Sequence, residues 1–215
     1  MMKRNNLFKK AVFSLTLSLL CIFLISFSGC GKEEQAPVKK TPEKALSRVD
    51  KIKAAGKLVI GTSAEYPPYE FHLLQDKQGD LVGIDIDIAD AIAQELGVSL
   101  EVKDIVFHRL FNALNSDEVD LVIAGLVPSE NRKKIIDFSD VYYQAIQNIV
   151  IKAGDRGKIT CVNDLRGKTV GTQKGSIQGD MVHKVLLSGD FVEMDTIDEL
   201  ISDLKKNKID AVLLE

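Results

Sequence analysis

At 215 residues, with 45% apolar and 27% charged side chains, the chain is long enough for one large or two small domains, and its apolar content excludes wholesale disorder. A formal charge of −3 provides no strongly basic face to displace counterions, which argues against nucleic acid as a partner. The charge is uneven: the first 29 residues hold Lys3, Arg4, Lys9 and Lys10 and no acid, leaving −7 on the remainder, a balance that suits solubility and cationic solutes.

Those four bases precede an apolar run from Ala11 to Phe27, and Ser28-Gly29-Cys30 follows. This is the order of a secretory signal. The alternative is an uncleaved anchor, since about 20 apolar residues span a bilayer. Ser14, Ser18 and Ser26 break the run and Gly29-Cys30 closes it, which favours cleavage. The ending resembles a bacterial lipobox, although Phe27 stands where a small or aliphatic residue is usual, and implies lipidation of Cys30. Residues 1–29 are expected to be a signal peptide, and either reading exports the rest. Cys161 is then the one remaining thiol, without a disulfide partner, and its apolar flanks make it an expected inert packing residue.

Residues 30–52 read as a polar tether, rich in Lys32, Glu33, Glu34 and Gln35, followed by a short helix opened by Thr41-Pro42-Glu43 and stopped by Gly56. Lys57–Gly61 is a buried strand, and Phe71–Gly83 a hairpin with its turn at Gln75–Asp80. Ile84, Ile88, Ala91, Ile92 and Leu96 mark an amphipathic helix that ends at Gly97. Next come strand Ser99–Val106, helix Phe107–Asn115 and strand Val119–Ala124. The alternation resumes with strand Thr169–Thr172, helix Ile177–Leu187, strand Phe191–Met194, helix Ile197–Lys206 and strand Ile209–Leu214. Strands alternating with helices predict an α/β fold with mostly parallel sheets.

The segment leading into Val119-Asp120-Leu121 has a counterpart leading into Ile209-Asp210-Ala211, with the two aspartates 90 positions apart. This is either an internal repeat, hence two similar lobes, or the ordinary appearance of any αβ unit. With two lobes, ligands would sit beyond the carboxyl ends of the strands, at Gly61-Thr62-Ser63, Gly125-Leu126, Thr172-Gln173 and Leu214-Glu215.

Catalytic signatures do not emerge. HExxH, CxxC, GxSxG and the P-loop ending are missing, and His72, His108 and His183 show no ligand spacing, so neither a metal nor a cofactor is implied. Binding candidates cluster at the strand ends instead. Tyr66-Pro67-Pro68-Tyr69 offers flat apolar faces on a stiffened loop, and Phe107 opens the next helix on the same edge. Gly125–Ser129 is expected to turn into a helix carrying Arg132 in its first turn, where a guanidinium can grip a carboxylate. Gly175-Ser176 opens a second helix with an anion-favouring end. The competing reading of Arg132 is a solvated charge in the run Arg132-Lys133-Lys134.

Six stretches in order resemble a known family: Gly61–Tyr69, Gly83–Asp87, Asp120–Gly125 running to Arg132, Asp137-Phe138-Ser139 with Tyr142-Tyr143, Gly171–Ser176, and Ile209–Val212. From about Lys57 to Glu215 the chain resembles the family 3 extracellular solute-binding proteins of polar amino-acid ABC importers. That resemblance implies a two-lobed periplasmic-binding-protein-like (type II) fold, with lobe one over 53–145 and lobe two over 146–215. It implies that the second lobe and its return crossover are incomplete at Glu215, as in a C-terminally truncated chain. By position, Tyr66 and Phe107 would sandwich the ligand side chain. Arg132 would grip the α-carboxylate with help around Gly125, Val127 and Ser176, and Glu215 would meet the α-ammonium. Val127 and Ile177 replace frequent hydroxyl residues, so backbone N–H groups must do more there. Ser63 stands where binders of basic amino acids often place an acid, with Glu65 nearby. The implied protein is not an enzyme. It is a monomeric, extracytoplasmic receptor, held to the bilayer through lipidated Cys30, that passes arginine, lysine or glutamine to a membrane permease. The rivals are a cyclohexadienyl-dehydratase-like enzyme on the same architecture and a ligand-sensing input domain.

Overall fold

The computed structural model describes residues 46–73, 79–185 and 190–215. The signal segment, Cys30, most of the tether, residues 75–78 of the hairpin turn and the last two residues of the expected helix 177–187 lie outside them. None of the helices among the described residues is long and apolar enough to cross a membrane.

The first helix, α1 (Arg48–Ala55), is shorter than the sequence suggests. Ser47 caps it by accepting from the Asp50 N–H while the Asp50 carboxylate returns to the Ser47 N–H. This reciprocal cap satisfies two orphan donors and fixes the start well after Thr41. Strand β1 (Lys57–Thr62) follows and lies at the centre of a parallel sheet between β5 (Ser99–Asp104) and β6 (Leu121–Val122). The hairpin is present as β3 (Glu70–His72) and β4 (Leu81–Val82), joined by an unforeseen β2 (Glu65–Tyr66) into a small antiparallel sheet.

Helix α2 (Ile84–Leu96) covers the parallel sheet, but its inward face is rotated from the expected one. Asp85, Ala89 and Ala93 are buried, whereas Ile84 and Ala91 are exposed. Small residues at this spacing let the helix approach the sheet closely, and Ile88, Ile92 and Leu96 pack around the core of Ile52, Leu58, Ile60 and Ile123. The expected helix from Phe107 is a 3₁₀ turn, Phe107–Arg109, leading into a short α3 (Leu110–Asn115).

The second α/β unit is a four-stranded sheet in the order β7-β10-β8-β9, built from β7 (Asn148–Val150), β8 (Val170–Gln173), β9 (Phe191–Met194) and β10 (Ala211–Leu214). All pairings but the antiparallel β7–β10 are parallel. Helices α4 (Ile177–Val185) and α5 (Ile197–Lys205) flank it. Alternate residues of β10 face opposite cores, Ala211 and Leu213 with Leu165 and Val170, and Val212 with Leu200 and Leu204, as the period of two in a strand requires. Cys161 does not pack: it is exposed and free, at the start of a 3₁₀ turn where Asp164 accepts its N–H.

The two aspartates of the repeat do the same work in both units. Asp120 Oδ2 accepts from Val59 N at 3.0 Å while Asp120 N donates to Val59 O at 2.7 Å. Asp210 Oδ2 accepts from Thr169 N at 2.9 Å while Asp210 N donates to Thr169 O at 2.8 Å. Each closes a strand entrance by a charge-assisted bond. The shared pattern is a structural repeat.

Gly83 decides where the aromatic loop sits. Its φ is +134°, and a Cβ there would lie 2.1 Å from Tyr69 O. The close approach lets Ile84 N and Asp85 N donate to Pro68 O and Tyr69 O, tying that loop to the start of α2. Gly83→Ala is expected to destabilise the chain by about 3 kcal/mol, through backbone strain and overpacking. A denaturant melt checks this.

Candidate functional site

The carboxyl ends of β1, β6, β8 and β10 open on one cleft with about 530 Å³ of space outside atoms, part of it open to solvent. Ser63, Tyr66, Phe107, Gly125, Val127, Arg132, Ser176, Ile177 and Glu215 all line it, so the structure brings every expected protein-site residue together. Cys30 lies outside the described residues. Glu65, Glu70, Gln173, Gln178 and Ile197 also line the cleft, and none of them was assigned there from sequence apart from Glu65 as a neighbour of Ser63. Gln173 was within reach, because it ends β8 where ligands gather; Glu70 and Gln178 carried no chemical signature of their own.

Arg132 is not on a helix. Residues 123–131 form an irregular loop, and Arg132–Lys134 is a single 3₁₀ turn, so the expected help from a helix N-terminus at this point is absent. The side chain is nevertheless only 8% exposed. One guanidinium nitrogen donates to Val127 O at 3.0 Å and the other to Gly175 O, in the second unit, at 2.9 Å. Its Cζ lies 5.3 Å from the Phe111 ring centroid and 6.0 Å from that of Phe107. Among the described residues no carboxylate lies within ion-pair distance of it. Burial lowers its pKa, with Asp180 and Glu215 opposing from further away, yet a guanidinium stays charged in proteins. The cleft therefore holds a buried cation whose direct contacts among the described residues include carbonyl dipoles and aromatic faces but no carboxylate. The arrangement favours an incoming anion.

Helix α4 does begin at the cleft as its sequence suggests, with Gly175 at φ +76° turning the chain into it. The Ser176 hydroxyl is buried there without a hydrogen-bond partner among the described residues, beside a helix end whose first N–H groups have no intrahelical acceptors. On the opposite wall Tyr66 stacks on Tyr69 at 4.8 Å, and Tyr69 meets Tyr143 edge-on at 5.2 Å. Burial and the nearby Glu215 hold the Tyr66 phenol well above its ordinary pKa, so it remains a neutral face. Gly125, at φ +55°, lets that ring close in, since a Cβ would stand 3.0 Å from it.

Two further contacts join the units, the first of them between cleft-lining residues. Ile197 N, in the first turn of α5, donates to Glu65 Oε2 at 3.1 Å. His108 Nδ1 faces Asp195 Oδ1 at 3.4 Å. Glu65 is thus engaged by a helix N-terminus rather than merely solvated. Among the described residues no group of His, Cys, Asp and Glu has the arrangement of a metal site.

Beneath the cleft lie two carboxyl groups with almost no exposure, Glu70 at 1% and Asp85 at 0%. Asp85 accepts from Gly125 N at 3.0 Å and from the Tyr142 hydroxyl at 2.9 Å, which anchors the turn leading to Arg132. Burial, reinforced by the charge of Asp85 and a hydrogen bond to it, pushes the Glu70 pKa up to about 10. The folded chain keeps this proton while the unfolded chain loses it near pH 4.5, so the folded state binds more protons between those values. Stability from this group is accordingly present below pH 4.5 and declines as pH rises toward 10. Glu70→Gln, which keeps a donor for Asp85 without a titrating proton, is expected to raise the melting temperature relative to the parent at pH 9 more than at pH 5. Equal differences at both pH values would contradict this account of the pair.

Residues 58–208 match the family described as bacterial extracellular solute-binding proteins, family 3. The arginine-binding extracellular protein ArtP of Bacillus subtilis is 43% identical over 162 residues, covering 74% of this chain and 61% of its own length. The glutamine-binding protein of Geobacillus stearothermophilus is 32% identical, over 95% of this chain and 81% of its own. The chain therefore spans about three fifths of one of these relatives and four fifths of the other. Among solved structures, the amino-acid ABC transporter substrate-binding protein AbpA of Streptococcus pneumoniae, bound to L-arginine, superimposes with a TM-score of 0.74 at 39% identity, covering 77% of this chain and 70% of that one. With its two sheets facing one cleft and this match over most of its length, the chain belongs to the family 3 extracellular solute-binding proteins and has their α/β fold.

Proposed function

We propose that this chain is the receptor component of an ABC importer for a polar L-α-amino acid, and that it binds and closes without catalysing a reaction. The observation that carries this reading is Arg132: a buried guanidinium, without a carboxylate beside it among the described residues, at the mouth of a cleft that also holds the unpartnered Ser176 hydroxyl. An α-carboxylate supplies the missing charge, and Glu215, on the same cleft, suits the α-ammonium. Tyr66 and Phe107 flank the path of the side chain. In this reading lobe one is residues 53–145 and lobe two is residues 146–215, and the closed form is passed to a membrane permease.

The charge of the cleft favours a cationic side chain. Arg132 and Glu215 answer the two charges of the ligand backbone, Glu70 is neutral, and Glu65 adds a further acid to the wall. Arginine or lysine therefore leads, with glutamine next; the names of the relatives above point the same way. We also propose export through residues 1–29 and tethering to the membrane by lipid on Cys30, on the strength of the sequence pattern alone.

A thermal melt against single amino acids tests the function. A ligand at about 100 times its dissociation constant stabilises by roughly 2.7 kcal/mol, a shift of several degrees. We expect L-arginine or L-lysine to give the largest shift. Arg132→Ala should weaken that binding by about 1.5–3 kcal/mol, the worth of a hydrogen bond to a charged group, while leaving a cooperative melt. A cooperative melt of the parent chain that none of the twenty amino acids moves would overturn the proposal and reopen the enzyme and sensor readings.

A further inference from the structure

Glu215 can serve an ammonium group well only if its carboxylate is held in place, because a free glutamate side chain must lose rotamer freedom on binding. The structure shows how it is held. Strand β7 runs antiparallel to β10 with Leu214 opposite Asn148, so the next pair along the ladder is Glu215 and Gln147. Gln147 Nε2 donates to Glu215 Oε2 at 2.9 Å. Gln178 Nε2, from the first turn of α4, donates in turn to Gln147 Oε1 at 2.7 Å.

Three features make this a directed chain rather than a chance contact. Both bonds donate toward the carboxylate, as an acceptor-only group at the end requires. The orientation of the middle amide is fixed from both sides: turning it over would set nitrogen against nitrogen on one side and oxygen against oxygen on the other. Its origin is also firm, since Gln178 is 7% exposed and sits on a helix packed against the sheet. Gln147 itself ends the irregular stretch 135–147, which carries the chain from the first unit to the second. The site wall at α4, the crossover and the acid are thereby tied in series.

We propose that Gln147 and Gln178 are positioning residues that pre-set the Glu215 carboxylate for the ligand's α-ammonium. This rests on the amino-acid reading of the cleft. It predicts a loss confined to the ammonium contact, which a general loss of packing or of hinge geometry would not produce.

The test is calorimetric titration of the whole chain and of the variants Gln147→Ala and Gln178→Ala with two probes, L-arginine and 5-guanidinopentanoic acid, which is arginine without its α-amino group. If the parent chain takes L-glutamine and not L-arginine, the pair becomes L-glutamine and glutaramic acid. We expect Gln147→Ala to lose about tenfold in affinity for the amino acid and less than twofold for the des-amino probe. Gln178→Ala should show the same split with a smaller loss. An equal loss for both probes, or no loss in either variant, overturns the proposal while leaving amino-acid binding intact. Whichever other amino acid the parent chain binds replaces the pair together with its own des-amino form, and failure to bind any of the twenty overturns the function and this inference together.

Discussion

A buried guanidinium with no carboxylate in ion-pair reach among the described residues is the constraint around which the cleft is organised. Removing a cation from water costs several kcal/mol unless its donors and its charge are answered. Here carbonyl oxygens of Val127 and Gly175 answer two donors, and the Phe107 and Phe111 rings answer part of the charge. The remainder is left for a ligand. Because Gly175 belongs to the second unit and Arg132 to the first, the group that awaits the ligand also joins the two walls. In the proposed function, binding and closure are thus connected through one side chain.

The rest of the fold holds that side chain and its surroundings in register. Buried Asp85 grips Gly125 N and Tyr142, fixing the loop that ends at Arg132. Gly83 admits the Pro68–Tyr69 backbone onto the start of α2, and the aromatic wall is built on that contact. Asp120 and Asp210 close the entrances of the two sheets in the same way. Parallel strands direct those carboxyl ends toward one edge, which is where ligands of open α/β sheets collect.

Much of this was legible from the residues. Period and punctuation located α2, β1, β8, β9 and α5 to within a residue or two, because an apolar period ended by a glycine such as Gly97 and short apolar runs between helices are strong local signals. The cleft residues were legible because they sit at strand ends and in ordered family stretches. What escaped depended on tertiary contacts. The buried face of α2 is set by how closely Ala89 and Ala93 can approach the sheet, and an apolar period alone points to Ile84 and Ala91 instead. The turn before Arg132 is expected from sequence to lead into a helix, and the chain makes a single 3₁₀ turn there instead, with the guanidinium bonded to Val127 O and Gly175 O. Cys161 has apolar neighbours in sequence and solvent in space. The Gln178–Gln147–Glu215 chain joins residues up to 68 positions apart and leaves no local trace.

The central claim is that Arg132 waits for a carboxylate, and the most direct measurement removes that group from the ligand. L-arginine and L-glutamine would each be titrated into the unmodified chain beside the corresponding decarboxylated amine, agmatine for arginine and 4-aminobutanamide for glutamine. The amino acid that binds should do so at least about tenfold more tightly than its decarboxylated form, the lower worth of a hydrogen bond to a charged group. Comparable affinities for the two would mean that the buried guanidinium does not hold the ligand, and the site would have to be rebuilt around another group.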